Sequence, residues 1–287
     1  METNEKIKEQ VKATYREIAQ QEKSFNAASC CGATCCSGEV YNIMAEEYTA
    51  LNGYQPDADL GLGCGLPTQF AVIKKGDVVI DLGSGAGNDC FVARAETGEA
   101  GKVIGIDMTA EMISRARANA EKLGFHNVEF RLGEIEHLPI TSGLADVIVS
   151  NCVLNLVPDK KKAFSEIYRV LRPGGHFSIS DIVLTGNLPD KILHTAEMYA
   201  GCISGAIQKE DYLRIIHEAG FEDISLKKEK PVIIPDDILS AVLTEEEIRL
   251  FKNSGVGIYS ITVSASKQRE KKNDAAAACC DKSVCCQ

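Results

Sequence analysis

Asp77-Val-Val-Ile-Asp81-Leu-Gly83-Ser-Gly85-Ala-Gly87 decides how this chain folds. Val78–Leu82 is an apolar run bounded by Gly76 and Gly83, the length of a buried strand and too short for a helix. The glycines that follow permit a tight strand-to-helix turn, because a side chain there would block both the turn and the approach of a ligand to the backbone. A dinucleotide fingerprint would place glycine at 83, 85 and 88, but residue 88 is Asn. That gap, with Asp81 just before the turn, argues against NAD.

Outward from this turn, strand and helix patterns alternate. Val103–Ile106, Val128–Phe130, Val147–Val149 and His176–Ile182 read as further strands, with helical patterns at 88–96, 109–123 and 159–171 between them. Such alternation predicts right-handed βαβ units and a doubly wound, mostly parallel sheet, an α/β fold. Continuously apolar strands agree, since both of their faces are covered. Residues 189–219 read as helical, Phe221–Leu226 and Ile258–Ala265 as closing strands, and 230–256 as an insertion. On the N-terminal side, 3–22 predicts an amphipathic helix, 24–38 a cysteine-rich loop, 39–50 a second helix and Gly53–Pro67 a turn region. The expected division is 1–70, 71–185, 186–267 and a disordered cysteine-rich tail at 268–287.

Composition narrows the partners. Hydrophobic residues make up 45% of the 287 and charged residues 25%, which is ordinary for a globular protein. A net charge of −10 opposes binding to nucleic acid or an anionic membrane. The N-terminus has no apolar segment of the kind that directs secretion, and no apolar run approaches the roughly 18 residues needed to span a bilayer. The expected location is therefore the cytoplasm. In that reducing compartment the 12 cysteines read as ligands, nucleophiles or redox thiols rather than as a disulfide framework. Eight form adjacent pairs (Cys30/Cys31, Cys35/Cys36, Cys279/Cys280, Cys285/Cys286), and Cys64, Cys90, Cys152 and Cys202 stand alone.

The strand ends carry the candidate site. Asp107, 26 residues beyond Asp81 in Gly105-Ile-Asp-Met108, can accept hydrogen bonds from ribose hydroxyls. Gly133-Glu134-Ile135 follows the third strand, and Ser150-Asn151-Cys152 ends the fourth. Together these segments resemble the class I S-adenosylmethionine-dependent methyltransferases over residues 70–185. The resemblance implies a seven-stranded sheet and S-adenosylmethionine as methyl donor, with no metal required. It implies Asp81, Gly83, Ser84, Gly85 and Gly87 on the methionine side, Asp107 and Met108 at the ribose, Gly133, Glu134 and Ile135 at adenine, and Asn151 beside them.

Oxygen, nitrogen and carbon acceptors usually need a general base, yet no His stands at the end of the fourth strand; Cys152 does. Cys64, in a glycine-rich loop before the sheet, and Cys202, after the fifth strand, flank the same edge. Three thiols converging on a methyl donor point to a soft, three-coordinate acceptor. Arsenic(III) fits, because three thiolates leave a lone pair at the apex. Gly63-Cys64-Gly65-Leu-Pro67, Asn151-Cys152-Val-Leu-Asn155 and Ala200-Gly-Cys202-Ile-Ser-Gly-Ala206 resemble the arsenite S-adenosylmethionine methyltransferases over residues 25–265. The resemblance implies arsenic held by Cys64, Cys152 and Cys202, and thiol–disulfide cycling at Cys30 or Cys31. It also implies arsenite or its thiol conjugates as substrate and thioredoxin or glutathione as reductant. The rivals are a carbon methylase on the same fold, a non-enzymatic metalloid-binding protein, and a structural zinc site at Cys31 and Cys35. Cys90, one turn into a helix, reads as packing.

Overall fold

The computed structural model describes residues 2–20, 48–192, 203, 205–234, 236–240 and 242–269. Its centre is a seven-stranded sheet of order β3-β2-β1-β4-β5-β7-β6. The strands are β1 (Val78–Leu82), β2 (Lys102–Asp107), β3 (Val128–Leu132), β4 (Ala145–Asn151), β5 (Leu171–Thr185), β6 (Glu222–Pro231) and β7 (Gly257–Ser266). β1 to β5 pair in parallel, and β7 enters antiparallel between β5 and β6. This is the doubly wound, mostly parallel α/β architecture that the strand–helix alternation predicts.

The helices are α1 (Glu2–Ala19), the short α2 (Pro67–Phe70), α3 (Asn88–Thr97), α4 (Ala110–Lys122), α5 (Lys160–Val170), α6 (Lys209–Glu218), α7 (Asp236–Ser240) and α8 (Glu245–Asn253). None of the described helices is long and apolar enough to cross a membrane.

Alternation along the central strands builds two cores. Val79, Val103, Val147 and Val149 pack against α3 and α4 through Phe91, Met112 and Ala116. The intervening Ile80, Leu82, Ile104 and Ile148 pack on the other face with Phe164 and Ile167 of α5 and Tyr212 and Ile216 of α6. Each fully buried branched side chain contributes about 1.5–3 kcal/mol. A third, smaller cluster lies beyond the parallel strand ends and joins Cys64 and Cys152 to Ile182, Ile203, Leu239 and Ile258.

The structure revises three boundaries. Residues 205–208 are non-helical, so the helix expected over 189–219 is interrupted before α6. Residues 48–50 are not helical either, while the rest of the helix expected at 39–50, the loop at 24–38 and the tail from 270 lie outside the described residues. The stretch 230–256 completes β6 and supplies α7 and α8.

Candidate active site

Register places the site. Leu82 pairs with Ile106 and with Ser150, and Asp107 pairs with Leu132, so residues 83, 107, 133 and 151 line up along one edge of the sheet. The chain order reverses between β1 and β4, and the crevice opens at the carboxyl ends of those strands, where doubly wound sheets bind ligands.

The turn after β1 is anchored by Gly83 N and Ser84 N, which donate to Ile106 O at 2.8 and 2.9 Å. Gly83 has φ +71°, and an added Cβ would collide with the Val153 side chain. Gly85 has φ +51° and open space in front of it. Gly87, φ +101°, meets Phe130 and Phe91, and unlike Asp81, Gly83, Ser84 and Gly85 it does not line the cavity. The Asp107 carboxylate accepts from Gly85 N (3.0 Å) and Thr109 N (2.8 Å), joining the loops after β1 and β2. Met108, Gly133, Glu134 and Ile135 line the same cavity. Glu134 is tied to α1, accepting from Lys8 Nζ at 2.8 Å and Lys12 Nζ at 3.4 Å, and Lys8 also pairs with Glu136.

The floor of the cavity is acidic. Burial pushes the Asp81 carboxyl well above the usual range, and Asp89 adds to the shift while the Cys90 thiol, donating at 3.3 Å, opposes it. Burial raises Asp89 to about 6 against hydrogen bonds from Tyr48, Asn151 and Thr68. Ser84 Oγ and Asn88 Oδ1 are buried with no hydrogen-bond partner among the described residues, a costly state unless a ligand supplies one. A polar ligand carrying positive charge fits this donor and acceptor set, and the space before Gly85 admits it to the backbone. S-adenosylmethionine, with its ammonium and sulfonium, is such a ligand.

Asn151 does more than line the crevice. Its Oδ1 accepts from Cys64 N (3.1 Å) and Gly65 N (3.2 Å), and its Nδ2 donates to Gly65 O (2.8 Å), Asp89 (3.3 Å) and the Tyr48 hydroxyl. The Cys64 loop is thus stapled to the end of β4. Glycine is required on either side of Cys64, since a Cβ on Gly63 would lie 2.6 Å from Asn151 Nδ2 and one on Gly65 2.5 Å from Ser180 Oγ. Ser260 Oγ donates to Cys64 O at 2.6 Å.

Cys152 follows directly, with φ +60°, a left-handed conformation uncommon for a side chain with a Cβ. Its N–H donates to Ser180 O at 2.8 Å, which holds the strained turn. Cys64 and Cys152 are both reduced and buried in one apolar cluster. Cys202 lies outside the described residues, but Ile203 belongs to that cluster. Cys30 and Cys31 also lie outside the described residues, as do Cys35 and Cys36. Cys90, on the inner face of α3, is buried in the core.

The sequence reading missed Lys8, Tyr48, Asn88 and Asp89. Asn88 and Asp89 follow the glycine turn directly, and their polarity at a helix start was a signal. Tyr48 and Lys8 reach the site from distant segments and carried none.

A family profile for a methyltransferase domain matches residues 73–220. The arsenite methyltransferase of Halobacterium salinarum is 44% identical over 251 residues, covering 81% of this chain and 62% of the relative. That of Aquipseudomonas alcaligenes is 34% identical over 260 residues, covering 86% and 73%. Among solved structures, an arsenic(III) S-adenosylmethionine methyltransferase from Chlamydomonas reinhardtii superposes with a TM-score of 0.61 at 34% identity, over 73% of this chain and 69% of that one.

Proposed function

The chain belongs to the arsenite methyltransferase family, and from that premise we propose that it transfers a methyl group from S-adenosylmethionine to trivalent arsenic held by its own cysteines. The observation that carries the reading is the Asn151 staple, which holds the Cys64 loop against the wall of the donor crevice, with Cys152 the next residue.

S-adenosylmethionine supplies a methyl carbon bonded to a positively charged sulfur. Asp81 and Asp89 put negative charge opposite the cationic end of the ligand, and Asp107 retains lone pairs for the ribose hydroxyls after taking its two backbone N–H groups. Ser84 and Asn88 supply the unmatched polar atoms. The thiols of Cys64, Cys152 and Cys202 hold arsenic as a pyramid, so that its lone pair needs no general base. The apolar cluster around Cys64 and Cys152 keeps water from the arsenic–sulfur bonds, which strengthens alignment within about 3–3.5 Å of the reacting carbon.

Methyl transfer leaves arsenic formally pentavalent. A fourth thiolate, from Cys30 or Cys31, then attacks one arsenic-bound sulfur. A sulfur–sulfur bond forms, the arsenic–sulfur bond breaks, and its electron pair returns arsenic to the trivalent state. Thioredoxin or glutathione reduces the disulfide. Arsenite or its thiol conjugate is the substrate, and the expected site of action is the cytoplasm.

The test measures transfer of labelled methyl to arsenite with thiol present. Cys152→Ser and Cys202→Ser are expected to abolish activity on every arsenical. Cys64→Ser retains the later methylations, because a methylated acceptor has fewer positions left for sulfur. Full activity in all three variants would overturn the reading, and failure to bind S-adenosylmethionine would favour a non-enzymatic metalloid binder.

A further inference from the structure

The donor crevice and the thiols do not account for a polar group buried beneath them. Asp181 lies in the middle of β5, fully buried, and its side chain faces the α5 and α6 side of the sheet. One carboxylate oxygen accepts from the Tyr212 hydroxyl of α6 at 3.0 Å and the other from Ile182 N at 3.0 Å. The carboxylate also accepts from the backbone N–H of Asn155. Lys160, at the start of α5 and itself buried, donates through Nζ to Asn155 O (3.0 Å) and Val157 O (3.1 Å); burial raises the Asp181 carboxyl to about 7, and the Lys160 charge opposes that rise.

The peptide groups on both sides of Asn155 are therefore held, one by the Asp181 carboxyl and the other by the Lys160 side chain. Asn155 lies three residues beyond Cys152, in the 3₁₀ turn Leu154–Leu156. Gly205, at φ +82°, packs so closely on Asn155 O that a Cβ there would collide with it. Ala206 N binds Ile203 O at 3.0 Å, and Leu184 N binds Ile207 O at 2.9 Å, fixing this turn to β5. Cys202 immediately precedes Ile203 in the sequence.

A buried Asp and Lys are expensive to desolvate, and an apolar set of the same volume would often stabilise a core as well or better. Their retention here is explained by position. We propose that Asp181, Tyr212 and Lys160 are positioning residues that lock the Asn155 turn, and thereby set the separation between the Cys152 strand end and the turn at 205–207 that follows Cys202 in the sequence. The inference rests on the arsenic reading above. The three side chains touch neither donor nor acceptor; they act through Asn155. Their loss should weaken three-point capture of arsenic more than donor binding, because the Asn155 turn gives the donor crevice only one wall, through Val153, Leu156 and Val157, while the loops after β1, β2 and β3 give the rest.

The experiment compares wild type with Tyr212→Phe, Asp181→Asn, Lys160→Met and Gly205→Ala. Binding of arsenite and of S-adenosylmethionine is measured separately by calorimetry on the full chain, with KM for each and a melting curve. The expected result is a loss of about tenfold or more in arsenite affinity and a matching rise in arsenite KM, with a clearly smaller loss of donor affinity. Gly205→Ala, which pushes on Asn155 from the other side, should give the same pattern. Tyr212→Phe removes a single hydroxyl and remains decisive if Asp181→Asn fails to fold. Unchanged arsenite affinity in folded variants overturns the inference, as does parallel loss of both affinities in step with melting temperature. A wild type that binds no arsenite defeats the arsenic reading instead, so the two failures are distinguishable.

Discussion

Gly83 and Gly85 sit two residues apart in one turn, both in the left-handed region, yet the reasons for glycine differ. At Gly83 a Cβ would strike Val153, so the protein itself forbids it. At Gly85 nothing lies within 4 Å, so only backbone strain, about 1 kcal/mol, opposes alanine in the ligand-free chain. Gly83→Ala should lower the melting temperature markedly, whereas Gly85→Ala should melt within a few degrees of wild type and lose donor affinity. Calorimetric melting with donor titration separates them, and equal melting losses would contradict the distinction. Cysteines sort at this scale too. Cys90 packs in the core, as its place one turn into a helix implied, and also donates to Asp81, while the left-handed turn at Cys152 stores strain at the strand end, where a reacting group is useful.

At the scale of elements, α1 is more than an amphipathic appendage. Lys8, Val11 and Tyr15 line the donor crevice, and Lys8 and Lys12 pair with Glu134 while Arg16 pairs with Glu111 of α4. Helical spacing made α1 legible, but its docking site was not, because charges that meet across 126 residues leave no local pattern. Lys8→Met should speed donor release and raise donor KM by a few-fold, with the difference from wild type shrinking in high salt as screening weakens the remaining pairs. Stopped-flow release at two ionic strengths tests this, and a salt-independent difference would refute it. α8 shows the converse. Thr244-Glu-Glu-Glu247 carries a complete capping box, with Glu247 accepting from Thr244 N at 2.7 Å, so its start was readable in a stretch taken as an insertion.

For the whole molecule, the acidic crevice predicts how donor binding depends on pH. Burial holds Asp89 up at about 6 and Asp81 well above the carboxylate range, so lowering the pH neutralises them in the empty protein. A cationic ligand favours the ionised forms and releases protons on binding. Donor affinity should therefore fall as pH drops through about 6, and Asp89→Asn should be weaker at neutral pH with a flatter profile. Calorimetry between pH 5 and pH 8 reads this, and an affinity that rises on acidification would rule it out.

The parallel strands, the helices between them and the edge where the crevice opens were legible along the chain. Those features rest on periodicity and glycine placement within short windows, and βαβ handedness leaves few ways to assemble them. What supports the thiols became visible only in the folded chain. Asn151 gripping the Cys64 loop and Asp181 gripping the Asn155 turn are contacts between residues far apart in the chain, and a buried hydrogen bond is specified by where two backbones pass each other. A buried Asp in a strand looks like any other until its partners are in place.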